Sequence, residues 1–550
     1  MRVDPYTWDR EEWCEQARRA GPGPKDMARG PAFAVSAQHP CSVRTGEAVL
    51  RAGGSAADAV VAMTVVDTVV QPGTSTLGGH LTMLVHDTSS GRTDTLNAGF
   101  DSVTGDGDPY DRIAERAGGR AVLVPGLIAG LDAAWQRYGR LPWGELWRPA
   151  AYFAREGFPL SQHYALVARS RRQVLTRHPE GRAIFGALVD NSVDSSGATQ
   201  EAGWIFRQPQ LADTLDRIGT DGAGYVYQGP WAQRLVEAVG RLDGRMTLSD
   251  LARYQARWHE PLVGTYLGKE LRVCPPPHYG GAVVLLALAV AEALGLHERP
   301  PRWRSADSFY DEIQAMAGAI AARGQHDEVD DITQRIRRRE FIGGPFEPPQ
   351  GSHSLAAVDA DGQLAVATHS VAGLPWGEAG IFVDGIAVNS ARYLQPSATI
   401  PGDRVRETLA TQLVLDNNRP VFAATAMGTG LHGCLMQNTV NVLAHGLDLH
   451  QAIDQDRWGF YDYDYQTGRA TNAIQTEPFT PGLLDRVEEI GQPLARTDAA
   501  GRPYARRDKP QPGHTIAPTI GSWAAVAIDP GTEERLAVTE PRLMGTTTAG

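Results

Sequence analysis

The sequence predicts a layered sandwich of helices and β-strands, and three observations lead there. The N-terminal half carries apolar residues at the three- and four-residue spacing of helices. Past residue 351 the pattern changes to short runs of small and apolar residues that suit strands packed inside a sheet. Between them lies Gly343-Gly-Pro-Phe-Glu-Pro-Pro-Gln-Gly351, a turn-rich stretch that reads as an exposed linker. Strands flanked by helices bury their faces by stacking in layers.

In chain order, helices are expected over residues 42–52, 55–69, 125–138 and 142–156. Ser55 with Asp58 three positions on is a helix-start signal, and Gly53-Gly54 before it is a stop followed by a turn. A strand is expected over 81–87. The apolar run 282–291, bounded by Glu292, is shorter than the roughly 20 residues that span a bilayer and reads as a buried helix. Residues 186–204 and 325–350 are poor in apolar residues, and Arg335-Ile-Arg-Arg-Arg339 reads as the solvated face of a polar helical segment. Strands are expected at 353–358, 364–370, 381–388 and 421–426, then a helix over 431–445 and a late strand at 522–528.

Bulk properties narrow the function classes. The chain has 550 residues, 42% hydrophobic and 21% charged, which describes an ordinary globular protein without fixing a domain count. A net charge of −12, with no basic cluster beyond 335–339, argues against nucleic acid and anionic membrane as partners. The polar start Met1-Arg-Val-Asp-Pro-Tyr-Thr-Trp-Asp-Arg10 lacks a hydrophobic signal core, so a cytoplasmic location is expected. Cys14, Cys41, Cys274 and Cys434 are widely spaced and read as reduced and structural. The scattered histidines form no metal motif, and neither metal nor other cofactor is expected.

The stretch Gly351-Ser-His-Ser-Leu-Ala-Ala-Val-Asp-Ala-Asp-Gly362 carries the chemistry. Ser352 opens a strand that ends in the turn Asp359-Ala-Asp-Gly362, and Gln363-Leu-Ala-Val-Ala-Thr-His-Ser370 returns beside it. A hydroxyl at the head of a core strand is where a chain that cuts itself exposes an N-terminal nucleophile. Strands often begin with Ser, so on these residues alone both readings stand.

Further blocks decide the family. They include His39-Pro-Cys-Ser-Val-Arg-Thr-Gly-Glu-Ala-Val-Leu-Arg-Ala-Gly-Gly-Ser-Ala-Ala-Asp58, Gln71-Pro-Gly-Thr-Ser-Thr-Leu-Gly-Gly79, Val124-Pro-Gly-Leu-Ile-Ala-Gly130, Leu248-Ser-Asp-Leu-Ala-Arg-Tyr254 and Pro275-Pro-Pro-His-Tyr-Gly-Gly281. In order, and over nearly the whole chain, they resemble the γ-glutamyltransferase (γ-glutamyltranspeptidase) family. The resemblance implies an α+β fold, the four-layer αββα sandwich of the N-terminal nucleophile hydrolases. It implies a large-subunit-like segment 1–351 and a small-subunit-like segment 352–550 that begins at the nucleophile. The two would form one structural domain and stay associated after cleavage. It further implies a small-molecule substrate, and it leaves a homodimer open.

Such an enzyme uses its hydroxyl residue first to cut the preceding peptide bond and then, with the freed α-amine as base, to attack an acyl substrate. An α-amine titrates near pH ~7.7–8.0, so a useful fraction is unprotonated at neutral pH. The family's Thr-Thr-His block, counted back from Gly362, falls on Ser352 and His353. Aligning on the histidine instead would put Gly351 at the nucleophile position and leave no nucleophile. The hairpin count is preferred because a one-residue slip turns every side chain to the other face. Ser354, facing the same way as Ser352, is a further candidate. Ser370 matches a family hydroxyl that bonds the nucleophile. Met427-Gly428, before the helix at 431–445, matches the Gly-Gly pair whose amides hold the oxyanion, the helix N-terminus adding positive potential. Glu407-Thr408 matches a Ser-Ser substrate contact, and His353, beside the nucleophile, is a further substrate-site candidate.

The departures point away from glutathione. The family's carboxylate-binding Arg is missing from Leu96-Asn-Ala-Gly-Phe100. Other ligands of the glutamyl end fall near Ala372, Ile386 and Asn389, of which only Asn389 is polar. A charged amino-acid end group would be desolvated there without a partner. The expectation is a hydrolase or acyltransferase with a re-cut pocket. Family members in bacterial specialised metabolism that cleave a C–C bond in alkylproline precursors of antibiotics remain an alternative. So does an uncleaved, inactive binding protein.

Overall fold

The computed structural model describes residues 2–190, 204–342, 351–395, 399–460, 463–464, 469–470, 474–476, 479–497, 503–504 and 520–550. The linker at 343–350 and residues 191–203 lie outside them.

Fourteen strands build two large sheets. They are β1 (Ala28–Gly30), β2 (Ala34–Ala37), β3 (His80–Asp87), β4 (Arg92–Ala98), β5 (Arg257–His259), β6 (Leu262–Tyr266) and β7 (Lys269–Val273). After these come β8 (Ser352–Val358), β9 (Gln363–Ser370), β10 (Thr411–Asp416), β11 (Arg419–Met427), β12 (Ser522–Ile528), β13 (Arg535–Thr539) and β14 (Thr546–Ala549). The first sheet runs β14-β2-β8-β9-β3-β4-β5 and the second β1-β13-β12-β11-β10-β7-β6, each seven-stranded. Their pairings are antiparallel. Segments 1–351 and 352–550 both supply strands to both sheets.

The sheets face each other across a core of small and aliphatic side chains. Ala34, Leu84, Ala356, Val358, Leu364 and Val366 come from the first; Leu413, Leu415, Ala423, Ala524, Val526 and Ala537 come from the second. Small residues let the two layers approach closely. Helices α1 (Pro40–Arg51), α2 (Ala56–Val70), α3 (Leu127–Tyr138) and α4 (Trp143–Glu156) cover the outer face of the first sheet. Helices α5 (Gly280–Ala293), α6 (Ala306–Ala321) and α7 (Leu431–Leu443) cover that of the second. The molecule is therefore the α+β four-layer αββα sandwich expected. Among the described residues no helix is long and apolar enough to cross a membrane.

Local signals explain the elements that hold β8. Ser55 caps α2 in a capping box with Asp58. Asp359 accepts from the amides of Asp361 at 3.0 Å and Gln363 at 2.9 Å, which closes the β8–β9 turn, and from the Ala56 amide at 3.1 Å. One carboxylate thus ties the hairpin to the start of α2, where negative charge is favoured. Gly362 completes the turn with φ +80°, a backbone state that an L-residue enters at a cost.

Two expectations are adjusted, and a third holds. Residues 381–388 form not one strand but a two-stranded ribbon, Phe382–Val383 with Ile386–Ala387, because Asp384 and Gly385 turn the chain at positive φ. Helix Pro179–Asp190 extends into the region read as apolar-poor. The 335–339 run lies largely on helix Val329–Arg337, with Arg337, Arg338 and Arg339 exposed as expected of a solvated face; Ile336 is buried, and Arg339 pairs with Asp311 at 2.7 Å.

Candidate active site

Along the inner faces of both sheets the residues change from apolar to polar at one end. On β8 the inward series Val358, Ala356 continues as Ser354 and Ser352; on β9 Leu364, Val366 continues as Thr368 and Ser370. On β3 Leu84 gives way to Thr82 and His80, and Asn97 of β4 pairs with Thr82. The second sheet matches this with Thr411, Thr425 and Ser522, the apolar Met427 standing beside Ser522. Polar side chains in a buried inter-sheet layer need partners. Thr368 bonds the Thr425 hydroxyl and donates to the Ala426 carbonyl at 3.2 Å, and Gln38 donates to Ser354 at 3.0 Å. These bonds tie β9 to the end of β11 and the start of β8 to Gln38.

Ser352 pairs with Ser370 across the β8–β9 ladder, on the same face. The Ser370 hydroxyl donates to the carbonyl oxygen of Gly351 at 2.5 Å and accepts from the Ala372 amide at 2.8 Å. In the continuous chain it therefore meets the carbonyl preceding Ser352, not the Ser352 hydroxyl to which the sequence reading assigned it. Ser352 itself is 4% exposed.

The alternating strand geometry sends His353 the other way. Its ring lies in the outer layer, stacked on His369 with centroids 5.3 Å apart, and bonds the Thr74 hydroxyl. Asp67 of α2 stands 4.0 Å from His353 and 3.8 Å from His369 and is bonded by Ser42. Burial raises Asp67 to about 6 and holds both imidazoles down to about 3, so the rings are neutral. Nothing in these contacts brings His353 onto the face of Ser352.

Met427 and Gly428 lie where β11 ends and α7 begins, with Gly428 at φ +85° and its carbonyl accepting from the Leu431 amide at 3.1 Å. Glu407 and Thr408 are packed against the 277–280 loop. The Glu407 carboxylate accepts from Gln395 at 3.1 Å, and the Thr408 carbonyl is 2.8 Å from Nε2 of His432 in the first turn of α7. Asn389 is wholly occupied in joining the Gly78 and Leu123 backbones.

The chain shows a clear match to the gamma-glutamyltranspeptidase family model over residues 41–342. It belongs to that family. Glutathione hydrolase 2 of Arabidopsis thaliana is 33% identical over 302 residues, 53% of this chain and 49% of the relative. The glutathione hydrolase proenzyme of Escherichia coli K12 is 25% identical over 512 residues, covering 84% and 85%. The match spans about half the length of several curated relatives, including the Arabidopsis protein. The cephalosporin acylase of Bacillus halodurans shares the fold, with a TM-score of 0.78 at 22% identity over 96% of this chain and 98% of that one.

Sequence reasoning missed two residues that lie beside this cluster, Arg404 and His278. At Gly99, in the stretch lacking the family's Arg, an added Cβ would meet Arg404 Cδ and His278 Nε2, each at 3.1 Å. Arg404 thus brings a guanidinium from a distant segment. Its donors are engaged by Asp101 at 2.6 Å, by Asn97 at 2.6 and 3.0 Å, and by the Gln255 carbonyl at 2.7 Å. A guanidinium so occupied does not replace a free carboxylate-binding Arg. The period-two inward series on β3 was the sequence signal for His80.

Proposed function

We propose that the protein is an N-terminal nucleophile hydrolase or acyltransferase that cuts itself between Gly351 and Ser352 and acts on a non-glutamyl acyl substrate. The observation that carries this reading is the 2.5 Å hydrogen bond from Ser370 to the Gly351 carbonyl, beside a Ser352 on the same inner face. A donor on that oxygen favours attack at its carbon. Ser352 Oγ would add to the Gly351 carbonyl carbon, the C–N bond would break, and the resulting ester would be hydrolysed by water. That leaves the Gly351 carboxylate and frees the Ser352 α-amine. In turnover the α-amine takes the hydroxyl proton as Oγ attacks a substrate carbonyl, returns it to the leaving group, and water then releases the acyl group. Backbone amides around Gly428 would receive the oxyanion near the α7 N-terminus.

Three observations support a non-glutamyl substrate: Gly99 stands in the stretch lacking the family's Arg, the Arg404 donors are engaged, and Glu407 and Asn389 are turned into internal hydrogen bonds. A homologue in bacterial specialised metabolism, cleaving an amide or the C–C bond of an alkylproline precursor, accords with that loss. The Met at 427 in place of Gly favours the second reading, an uncleaved binding protein. N-terminal sequencing of the purified protein tests the choice: Ser352 as a new N-terminus supports the enzyme, and its absence supports the binding protein.

A further inference from the structure

One row of residues crosses the first sheet at the polar end of its inner face. Ser352 of β8 pairs with Ser370 of β9, and Ser370 pairs with His80 of β3. Directly paired residues in neighbouring strands point to the same side, so the His80 ring shares the face of the nucleophile. With strands about 4.8 Å apart, its backbone lies roughly 10 Å from that of Ser352. His80 stacks on Phe100 with centroids 4.5 Å apart, and His278 meets it edge-on at 6.2 Å.

Both rings are fully buried, and none of their four nitrogens finds a hydrogen-bond partner among the described residues. Two imidazoles buried side by side without partners are rare, because each unpaired donor or acceptor costs stability. His278 also fills the space beside Gly99 that a side chain there would need. Burial and the nearby Arg404 hold both rings neutral. Each then offers one N–H donor and one lone pair.

We infer that His80 and His278 recognise the distal end of the substrate's acyl group, and that this end is an uncharged hydrogen-bonding group such as a carboxamide or hydroxyl. This rests on the acyl-transfer reading above. In the continuous chain the Gly351 carbonyl occupies the place beside Ser370. A substrate carbonyl bound to Ser352 takes that place after cleavage, and an acyl chain of a few carbons reaches the next residue in the row. A carboxylate would meet two neutral rings and a guanidinium already paired with Asp101 at 2.6 Å.

The test uses the self-cleaved full-length protein and two p-nitroanilides of five-carbon acids, one ending in a primary carboxamide and one in a carboxylate. The carboxamide probe is expected to have a kcat/KM at least tenfold higher. His80→Phe and His278→Phe are expected to bring that ratio within twofold, while His278→Gln, which keeps a neutral donor and acceptor, retains it. Intact mass reports that each variant has folded and cut. A ratio at or below one overturns the inference, as does a ratio unmoved in both Phe variants, or no turnover of either probe by cut protein. A chain that never cuts overturns the acyl-transfer reading itself, and the inference falls with it.

Discussion

Ser370 donates a hydrogen bond to the carbonyl oxygen of Gly351 at 2.5 Å, one residue before the hydroxyl of Ser352. That contact places a donor on the oxygen that becomes negative if Ser352 attacks. Ser370→Ala is expected to slow self-cleavage on the order of a hundredfold, the usual effect of removing one oxyanion donor. A time course by gel electrophoresis reads it, and an unchanged rate would remove Ser370 from maturation.

Asp359 accepts three backbone amides from two elements. Asp359→Ala leaves the hairpin turn and the start of α2 without their acceptor. A loss of about 2–3 kcal/mol in urea unfolding is expected. A change below about 0.5 kcal/mol would mean that other groups close the turn.

How much of this was legible follows from distance along the chain. The Ser55–Asp58 box and the Asp359–Gly362 turn are local, so their residues announce them. The inward period-two series of β8 and β9 likewise puts Ser352 with Ser370. The His80–Ser370 pairing joins strands far apart in the chain, which no local pattern encodes. Arg404 enters beside Gly99 from a segment with no regular period. The opposite placement of His353 and its pairing with His369 across the same hairpin were implicit in strand alternation, but its Asp67 neighbour is a product of layer packing.

Stability should fall on acidification. Burial holds His39, His278, His353 and His369 at about 3, below the ordinary value near 6.5. Between those values the unfolded chain binds more protons than the folded one, so stability drops as pH falls from about 6.5 toward 3. At pH 5 each such histidine lowers it by about 2 kcal/mol. Asp67, raised to about 6, acts in the opposite direction and restores about 1 kcal/mol as its buried charge is neutralised. The urea midpoint is therefore expected to be lower at pH 5 than at pH 7.5; an equal or higher midpoint would contradict the neutral buried rings.

The four cysteines are buried free thiols. Burial pushes the thiols of Cys14, Cys41, Cys274 and Cys434 up, which suppresses the reactive thiolate. A thiol reagent added to native protein should report almost none of them, and all four after denaturation. Rapid native reaction would contradict the packing of α1 and α7.

A γ-glutamyl anilide offers a charged end group, whereas the Arg404 guanidinium beside Gly99 is already engaged by Asp101, Asn97 and Gln255. No chromophore release above background is expected. Release at a rate matching a transfer reaction would require a glutamate site elsewhere in the fold.

The central claim is that Ser352 is an N-terminal nucleophile, and intact mass of freshly purified protein beside Ser352→Ala tests it most directly. Two fragments, one ending at Gly351 and one beginning at Ser352, are predicted for the unsubstituted protein and a single chain for the variant. A single uncut chain in both, or the same cut in both, would contradict it.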